Sequence, residues 1–335
     1  MQNILVTGAA GFIGSNVSEM LLKKDYNVIG IDSFNDFYSP LIKRGNANEI
    51  VKTAESIGAN FKLYEGDIRN GEVIDRVFAE NKIEAVIHLA AYAGVRPSIE
   101  NPELYFDVNI NGTVKILECI KKYGIKRHVF ASSSSVYGNN KKVPFSEQDP
   151  VDNAISPYAA TKKAGEVICY TYHHLYDINT ACLRFFTVYG PRQRPDLAIH
   201  KFTKLMVEGK PIPFFGDGSM KRDHTYIDDI LDGVYKALIW TDSPKKRYDI
   251  FNLGESHTIT LTELVEAISD ELGINPIINR LPMQQGDVNR TFADISKAKK
   301  ILGYNPQTNF EEGIKKFIKW FRTREYASQV FKERV

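Results

Sequence analysis

The stretch "NILVTGAAGFIG", Asn3 to Gly14, decides the fold. A short run of strand-forming apolar residues ends at Thr7. Gly8, Gly11 and Gly14 then recur at every third position, leading into a helical pattern that starts near Phe12. Glycines at this spacing let the backbone turn tightly and approach a pyrophosphate, whose charge then faces the N–H groups and positive dipole end of the helix. A glycine triplet alone is a weak signal, but here strand, turn and helix agree. The next strand, "YNVIGID", ends in Asp32, 18 residues past Gly14. A carboxylate there accepts hydrogen bonds from an adenosine ribose and repels a 2′-phosphate, and "IDSFND" holds no Arg, so NAD is favoured over NADP. Phe12 and Ile13, between the glycines, are expected at the same cofactor. The plainer alternative makes the glycines turn residues and Asp32 a strand-end cap.

Outward from this stretch, "NFKLYEGD", "EAVIHLAA", "RHVFASSS" and "NTACLRF" continue as strands separated by longer helical patterns. Strands apolar on both faces mark a parallel sheet covered by helices. The fold class expected is α/β, a Rossmann-type doubly wound parallel sheet with a smaller C-terminal α/β substrate-binding region. Residues 1–185 form the NAD-binding domain. Residues 186–335 read as loops and small helices rich in Pro and Gly over one sheet edge, with some segments returning to the main sheet. "EGDIRN" ends the third strand with Asp67 and Ile68, which could hold an adenine ring; equally, Asp67 could cap the helix that follows. "HLAAYAGV" ends the fourth in Leu89, Ala90 and Ala91, small enough for the most part to admit a flat cofactor.

"SPYAATKKAGE" supplies Tyr158 and Lys162 at i, i+4 on one face of a helix that Ser156 caps and Pro157 opens. A lysine ammonium nearby would lower the phenol's usual pKa by about 1–3 units, making a proton acceptor matched to an alcohol. "HVFASSSSVYG" places four serines at the carboxyl end of the fifth strand, where open α/β sheets bind ligands. A serine 25 residues before the tyrosine, Ser133, can position a substrate hydroxyl. The plainer reading of the serines is a polar turn.

At 335 residues, 43% hydrophobic and 25% charged, the chain reads as a soluble globular protein. A formal charge of +2 without a basic stripe argues against nucleic acid. Cys119, Cys169 and Cys182 are odd in number and far apart, which argues against disulfides and zinc; no metal is expected. The start lacks a basic leader with a cleavage site, and no apolar run reaches the roughly 18 residues of a span, so the expectation is an unprocessed cytoplasmic protein with no membrane partner. His173 and His174 are adjacent and cannot face one metal together. "KKVPFSEQDP" reads as a solvated lid edge.

Together with "DIRN", "RFFTVYGPRQRPD", "FFGDGSMKRDHTYIDDI" and "GDVNRTFAD", these motifs resemble the extended short-chain dehydrogenase/reductases that act on nucleotide sugars, along nearly the whole chain. Within that family the sequence is most similar to the UDP-glucuronate 4-epimerases. The resemblance implies that Ser133, Tyr158 and Lys162 form the catalytic set and that Asn109 joins the cofactor contacts. It also implies that NAD stays bound while a UDP-sugar passes through a 4-keto state with inversion at C4′. Homodimers formed through the Tyr158 helix and the one near Asn101 to Lys122 are implied as well.

Related 4,6-dehydratases carry Asp-Glu directly after the Ser/Thr, whereas this chain has Ser134 and Ser135, hydroxyls suited to a carboxylate that accepts up to about four hydrogen bonds. Thr187 followed by Arg194 resembles the glucuronate group, with Arg194 or Arg96 able to meet a C6 carboxylate. By resemblance, Arg222 and Asp287 hold UDP, and Phe214 with Phe215 forms a uracil shelf, although such an aromatic pair also suits plain core. Three rivals stay open: an epimerase of UDP-glucose or UDP-N-acetylglucosamine, a UDP-glucuronate decarboxylase, and a dinucleotide-sensing scaffold without catalysis.

Overall fold

Segments rich in Val, Ile and Leu on both faces find backbone partners beside one another, between two layers of helix. The computed structural model describes residues 1–282 and 290–323. Its strands are β1 (Asn3–Thr7), β2 (Asn27–Asp32), β3 (Phe61–Glu65), β4 (Ala85–His88), β5 (Arg127–Ser133), β6 (Asn179–Phe185), β7 (Thr187–Tyr189), β8 (Ile212–Phe215), β9 (Lys221–Tyr226), β10 (Tyr248–Leu253), β11 (Thr258–Thr260) and β12 (Ile278–Leu281). The main sheet runs in the order β10-β6-β5-β4-β1-β2-β3, and every neighbouring pair is parallel. The chain leaves β1 toward β3 and returns to β4 on the other side. This reversal opens a crevice at the carboxyl ends of β1 and β4, the place where open α/β sheets bind ligands.

Alternation along β1 divides the core. Ile4 and Val6 pack with Val17 and Leu21 of α1 (Phe12–Lys23); Leu5 packs with Ile74 and Val77 of α3 (Gly71–Glu80). Between them in sequence lies α2 (Pro40–Ile57), which packs on α1. Three helices follow β4: α4 (Val95–Glu100), α5 (Pro102–Phe106) and α6 (Gly112–Lys122), the last sharing the α3 face with α7 (Pro157–Tyr176). Ser156 accepts the Ala159 N–H at 3.2 Å and so caps α7, as its sequence predicts.

The second half is more regular than loops and small helices. β11, β9 and β7 form one small sheet, and β12 pairs with β8 in another. Around them lie α8 (Ala198–Val207), α9 (Ile227–Thr241), α10 (Leu261–Leu272), α11 (Ser296–Leu302) and α12 (Phe310–Arg322). These strands span three to six residues, too short for alternation to stand out among turn residues. β10 returns to the edge of the main sheet beside β6. "KKVPFSEQDP" is solvated only in part: Lys141, Lys142, Val143, Gln148 and Pro150 are exposed, but not Phe145. Its Phe145 is 1% exposed, stacks on Tyr137 at 4.8 Å and donates its N–H to the Phe292 carbonyl at 2.7 Å. A single aromatic in a charged run found an apolar site against Tyr137 and Phe186.

Candidate active site

The crevice opens into a cavity of about 480 Å³ that runs from the glycine turn to the end of β5. Gly8 has φ +70°, and its N–H meets the Ile31 carbonyl at 2.8 Å. A Cβ on Gly14 would fall 2.0 Å from the Gly8 oxygen. Only glycine lets α1 start this close to the turn, which leaves room for a diphosphate over its N-terminus.

Asp32 lies at the neighbouring strand end, 8% exposed. One carboxylate oxygen accepts the Ala10 N–H (3.0 Å) and the other the Phe34 N–H (2.9 Å). Burial raises its pKa, and the Phe34 bond, the charge of Lys43 and the Ala10 bond offset only part of that rise. A carboxylate accepts about four hydrogen bonds, so acceptor capacity remains for a ribose. Asp67 and Ile68 also line the cavity. The cap of α3 is Asn70, which accepts the Glu72 and Val73 N–H groups. Asp67 instead accepts the Arg69 N–H at 2.8 Å and the Arg69 guanidinium at 2.6 Å. Of its two readings, the helix cap is the one the structure removes.

Leu89, Ala90 and Ala91 line the cavity too, as do Phe12 and Ile13. The backbone there is fixed from below. Thr7 Oγ1 accepts the Leu89 and Ala90 N–H groups, each at 3.1 Å, so its own proton goes to His88 Nδ1 at 2.7 Å. Thr113 donates to the Asn109 carbonyl at 2.7 Å and therefore accepts from His88 Nε2 at 3.0 Å. Burial pushes the His88 pKa well below its usual value, in keeping with this neutral tautomer. Asn109 does not line the cavity. Its amide clamps Tyr92, accepting the N–H at 2.8 Å and donating to the carbonyl at 3.0 Å, and it donates to Thr161 Oγ1 at 3.0 Å. It shapes the cavity wall through Tyr92 without lining it.

At the far end, Tyr158, Lys162 and Ser133 meet as their spacing predicts, joined by Ser134, Ser135, Thr187, Arg194 and Arg222. Ser133 Oγ accepts the Ser135 N–H (3.1 Å) and hydroxyl (2.9 Å). Lys162 is 4% exposed and donates to the Ala131 carbonyl at 2.7 Å. Burial depresses its pKa to about 8. Tyr158 departs from the sequence reading: burial raises its pKa, while Ser133 and the charge of Arg194 lower it only in part. The ammonium lies 5.9 Å from the ring centroid, with a donor already committed to Ala131. In the chain alone burial therefore favours the phenol of Tyr158 over the phenolate.

The expected uracil shelf divides. Phe214 is 5% exposed and sits in the core, while the ring of Phe215 is covered by Arg96 at 5.5 Å; neither residue, nor Arg96, lines the cavity. Asp287 lies outside the described residues. Sequence reading passed over Tyr38 and Lys43, which line the cavity beside Asp32. The Tyr38 hydroxyl is buried with no partner among the described residues, and Lys43 Nζ donates to the Asn35 carbonyl at 2.7 Å. The only signal for them was their place just beyond Asp32.

Residues 5–317 match the family model described as GDP-mannose 4,6 dehydratase. The chain belongs to this family, a group of extended short-chain dehydrogenase/reductases. It is 45% identical to a UDP-glucuronate 4-epimerase of Thermodesulfobacterium geofontis over 317 residues, 94% of this chain and 95% of the relative. It is 44% identical to UDP-glucuronate 4-epimerase 4 of Arabidopsis thaliana over 332 residues, 95% of this chain and 75% of the relative. Among solved structures, a UDP-glucuronic acid 4-epimerase from Bacillus cereus in complex with UDP-glucuronic acid and NAD aligns with a TM-score of 0.86 at 36% identity, over 96% of this chain and 99% of that one. The family model carries a dehydratase's name, yet hydroxyls stand here where elimination of water needs an acid and a base.

Proposed function

We propose that this protein is an NAD-dependent 4-epimerase that interconverts UDP-glucuronate and UDP-galacturonate through a transient 4-keto sugar. One observation carries the reading: a single cavity joins the glycine turn and Asp32 to Ser133, Tyr158 and Lys162, and ends on Ser134, Ser135, Thr187 and Arg194. NAD fits the first part, because the Gly8–Gly14 contact is a cradle that a Cβ would fill and Asp32 keeps acceptor capacity for a ribose.

When bound, oxidised NAD supplies a reversible acceptor for the hydrogen on C4′ and places a positive charge near Tyr158. That charge helps overcome the burial that keeps the phenol neutral. Tyr158 takes the 4′-hydroxyl proton, Ser133 orients that hydroxyl, and Lys162 holds a second positive charge in place. The hydroxyls of Ser134, Ser135 and Thr187, with Arg194, hold the C6 carboxylate. Held in the plane of the sugar, its bond to C5′ cannot align with the ketone, which suppresses loss of CO₂. Arg222, with Asp287, would hold the diphosphate.

We read residues 1–185 as the NAD-binding domain and 186–335 as mainly sugar-binding. The protein is read as a cytoplasmic homodimer without a nucleic acid or membrane partner. Supporting this, no described helix is long and apolar enough to cross a membrane, and α7 carries exposed Val167, Tyr170 and Leu175. The test is to incubate the purified protein with UDP-glucuronate, UDP-glucose or UDP-N-acetylglucosamine and follow the sugars by NMR. The expected product is the C4′-inverted acid from UDP-glucuronate. A pentose with CO₂ would make the protein a decarboxylase, and inversion of only the neutral sugars would overturn the substrate. Tyr158→Phe should lose turnover by a factor of about 10² or more and still hold NAD.

A further inference from the structure

Arg194 lies in a loop fixed on both sides. Arg192 adopts a left-handed backbone, φ +69°, a conformation that needs support from its surroundings. Its guanidinium pairs with Glu19 of α1 at 2.6 Å. Gln193 donates to the Val188 carbonyl at 3.2 Å and accepts the His200 N–H at 3.1 Å. From this anchored loop Arg194 reaches the cavity wall, and its own carboxylate partner is two residues away: Nε donates to Asp196 Oδ1 at 3.0 Å and Nη2 to Oδ2 at 2.7 Å. The Phe37 ring covers the guanidinium face at 5.0 Å.

A guanidinium has five N–H donors in a rigid fork. Asp196 occupies one edge. The other edge, Nη1 with the second Nη2 hydrogen, meets no protein acceptor among the described residues and is the kind of edge a second carboxylate meets in bidentate fashion. Arg194 lines the cavity and Asp196 does not. We infer that Asp196 is a positioning residue: it grips one edge of Arg194, with Phe37 on the face, so that the opposite edge is already aimed when the acid group of the sugar arrives. The inference rests on Arg194 being the partner of the sugar's carboxylate, as proposed above.

Two effects of removing Asp196 oppose each other. Losing its negative charge strengthens the pull of Arg194 on an anion, but that charge is half-exposed and screened over about 8 Å at physiological salt. Losing the grip leaves a long side chain for the substrate to order, and preorganisation of this kind is a large part of affinity. The second effect is expected to win.

The test uses NAD-loaded protein at physiological salt, titrated calorimetrically with UDP-glucuronate and, separately, with UDP, which lacks the acid group. In Asp196→Asn an amide N–H faces the guanidinium and the bidentate pair cannot form. The Kd for UDP-glucuronate should rise about fivefold or more, while that for UDP stays within about twofold and reports the fold in the same titration. Unchanged or tighter UDP-glucuronate binding overturns the inference, as does equal loss for both ligands. Arg194→Ala separates the two layers of argument: if it leaves UDP-glucuronate binding unchanged, the carboxylate reading of Arg194 itself fails. If Arg194→Ala weakens that binding and Asp196→Asn does not, only the positioning role fails.

Discussion

Lys162 keeps its ammonium where charge is costly, 4% exposed with its nitrogen on the Ala131 carbonyl. Burial brings its pKa down to about 8, so the group is charged below that pH and neutral above it. Bound oxidised nicotinamide, also positive, lowers it further. In the proposed mechanism Tyr158 needs that charge, since its own burial favours the phenol. As pH rises past about 8, a cation that favours the phenolate is lost. The pH profile of kcat/KM should therefore fall on an alkaline limb at or below about pH 8. Lys162→Arg, whose guanidinium stays charged, should turn over more slowly and lack that limb. A limb at the same pH in both proteins would show that Lys162 is not the titrating group.

Along α7 the same four-residue step that joins Tyr158 to Lys162 continues to Glu166. That carboxylate accepts the Ser132 hydroxyl at 2.6 Å and a fork from Arg184 of β6 at 2.8 and 2.9 Å. Both charged side chains are 1% exposed. The buried pair ties α7 to the strand beside the serines, and β5–β6 register sets Ser132 opposite Arg184. Arg184 Nη1 is buried without a partner among the described residues, so the network is already one acceptor short. Glu166→Leu would leave an uncompensated guanidinium and should cost about 3–5 kcal/mol, read from denaturant unfolding. Glu166→Leu with Arg184→Met should recover most of that loss, because the isolated charge is what destabilises. A single substitution costing under about 1 kcal/mol would show that the pair holds nothing together.

Across the whole molecule, the outer face of α7 is largely apolar where the inner face carries Tyr158 and Lys162 into the cavity. Val167, Tyr170 and Leu175 are 54%, 52% and 58% exposed, with Ile99 and Phe106 exposed on nearby helices. Charging this face with Val167→Asp and Tyr170→Glu should turn the proposed dimer into monomers in sedimentation velocity; a parent that already sediments as a monomer would refute that proposal. The sequence by itself determined the parallel sheet, the glycine turn, Asp32 at its strand end and the Tyr158–Lys162 stripe. Each of these follows from backbone geometry repeating over two to four residues, or from conformations only glycine tolerates. Tertiary structure alone decided that Asn109 and Phe214 lie behind the cavity lining, that Phe145 is buried, that burial favours the phenol of Tyr158 and that Arg194 is held by Asp196 and Phe37. Those outcomes depend on which distant segments converge and how much water they exclude, and neither quantity is written in the local order of residues.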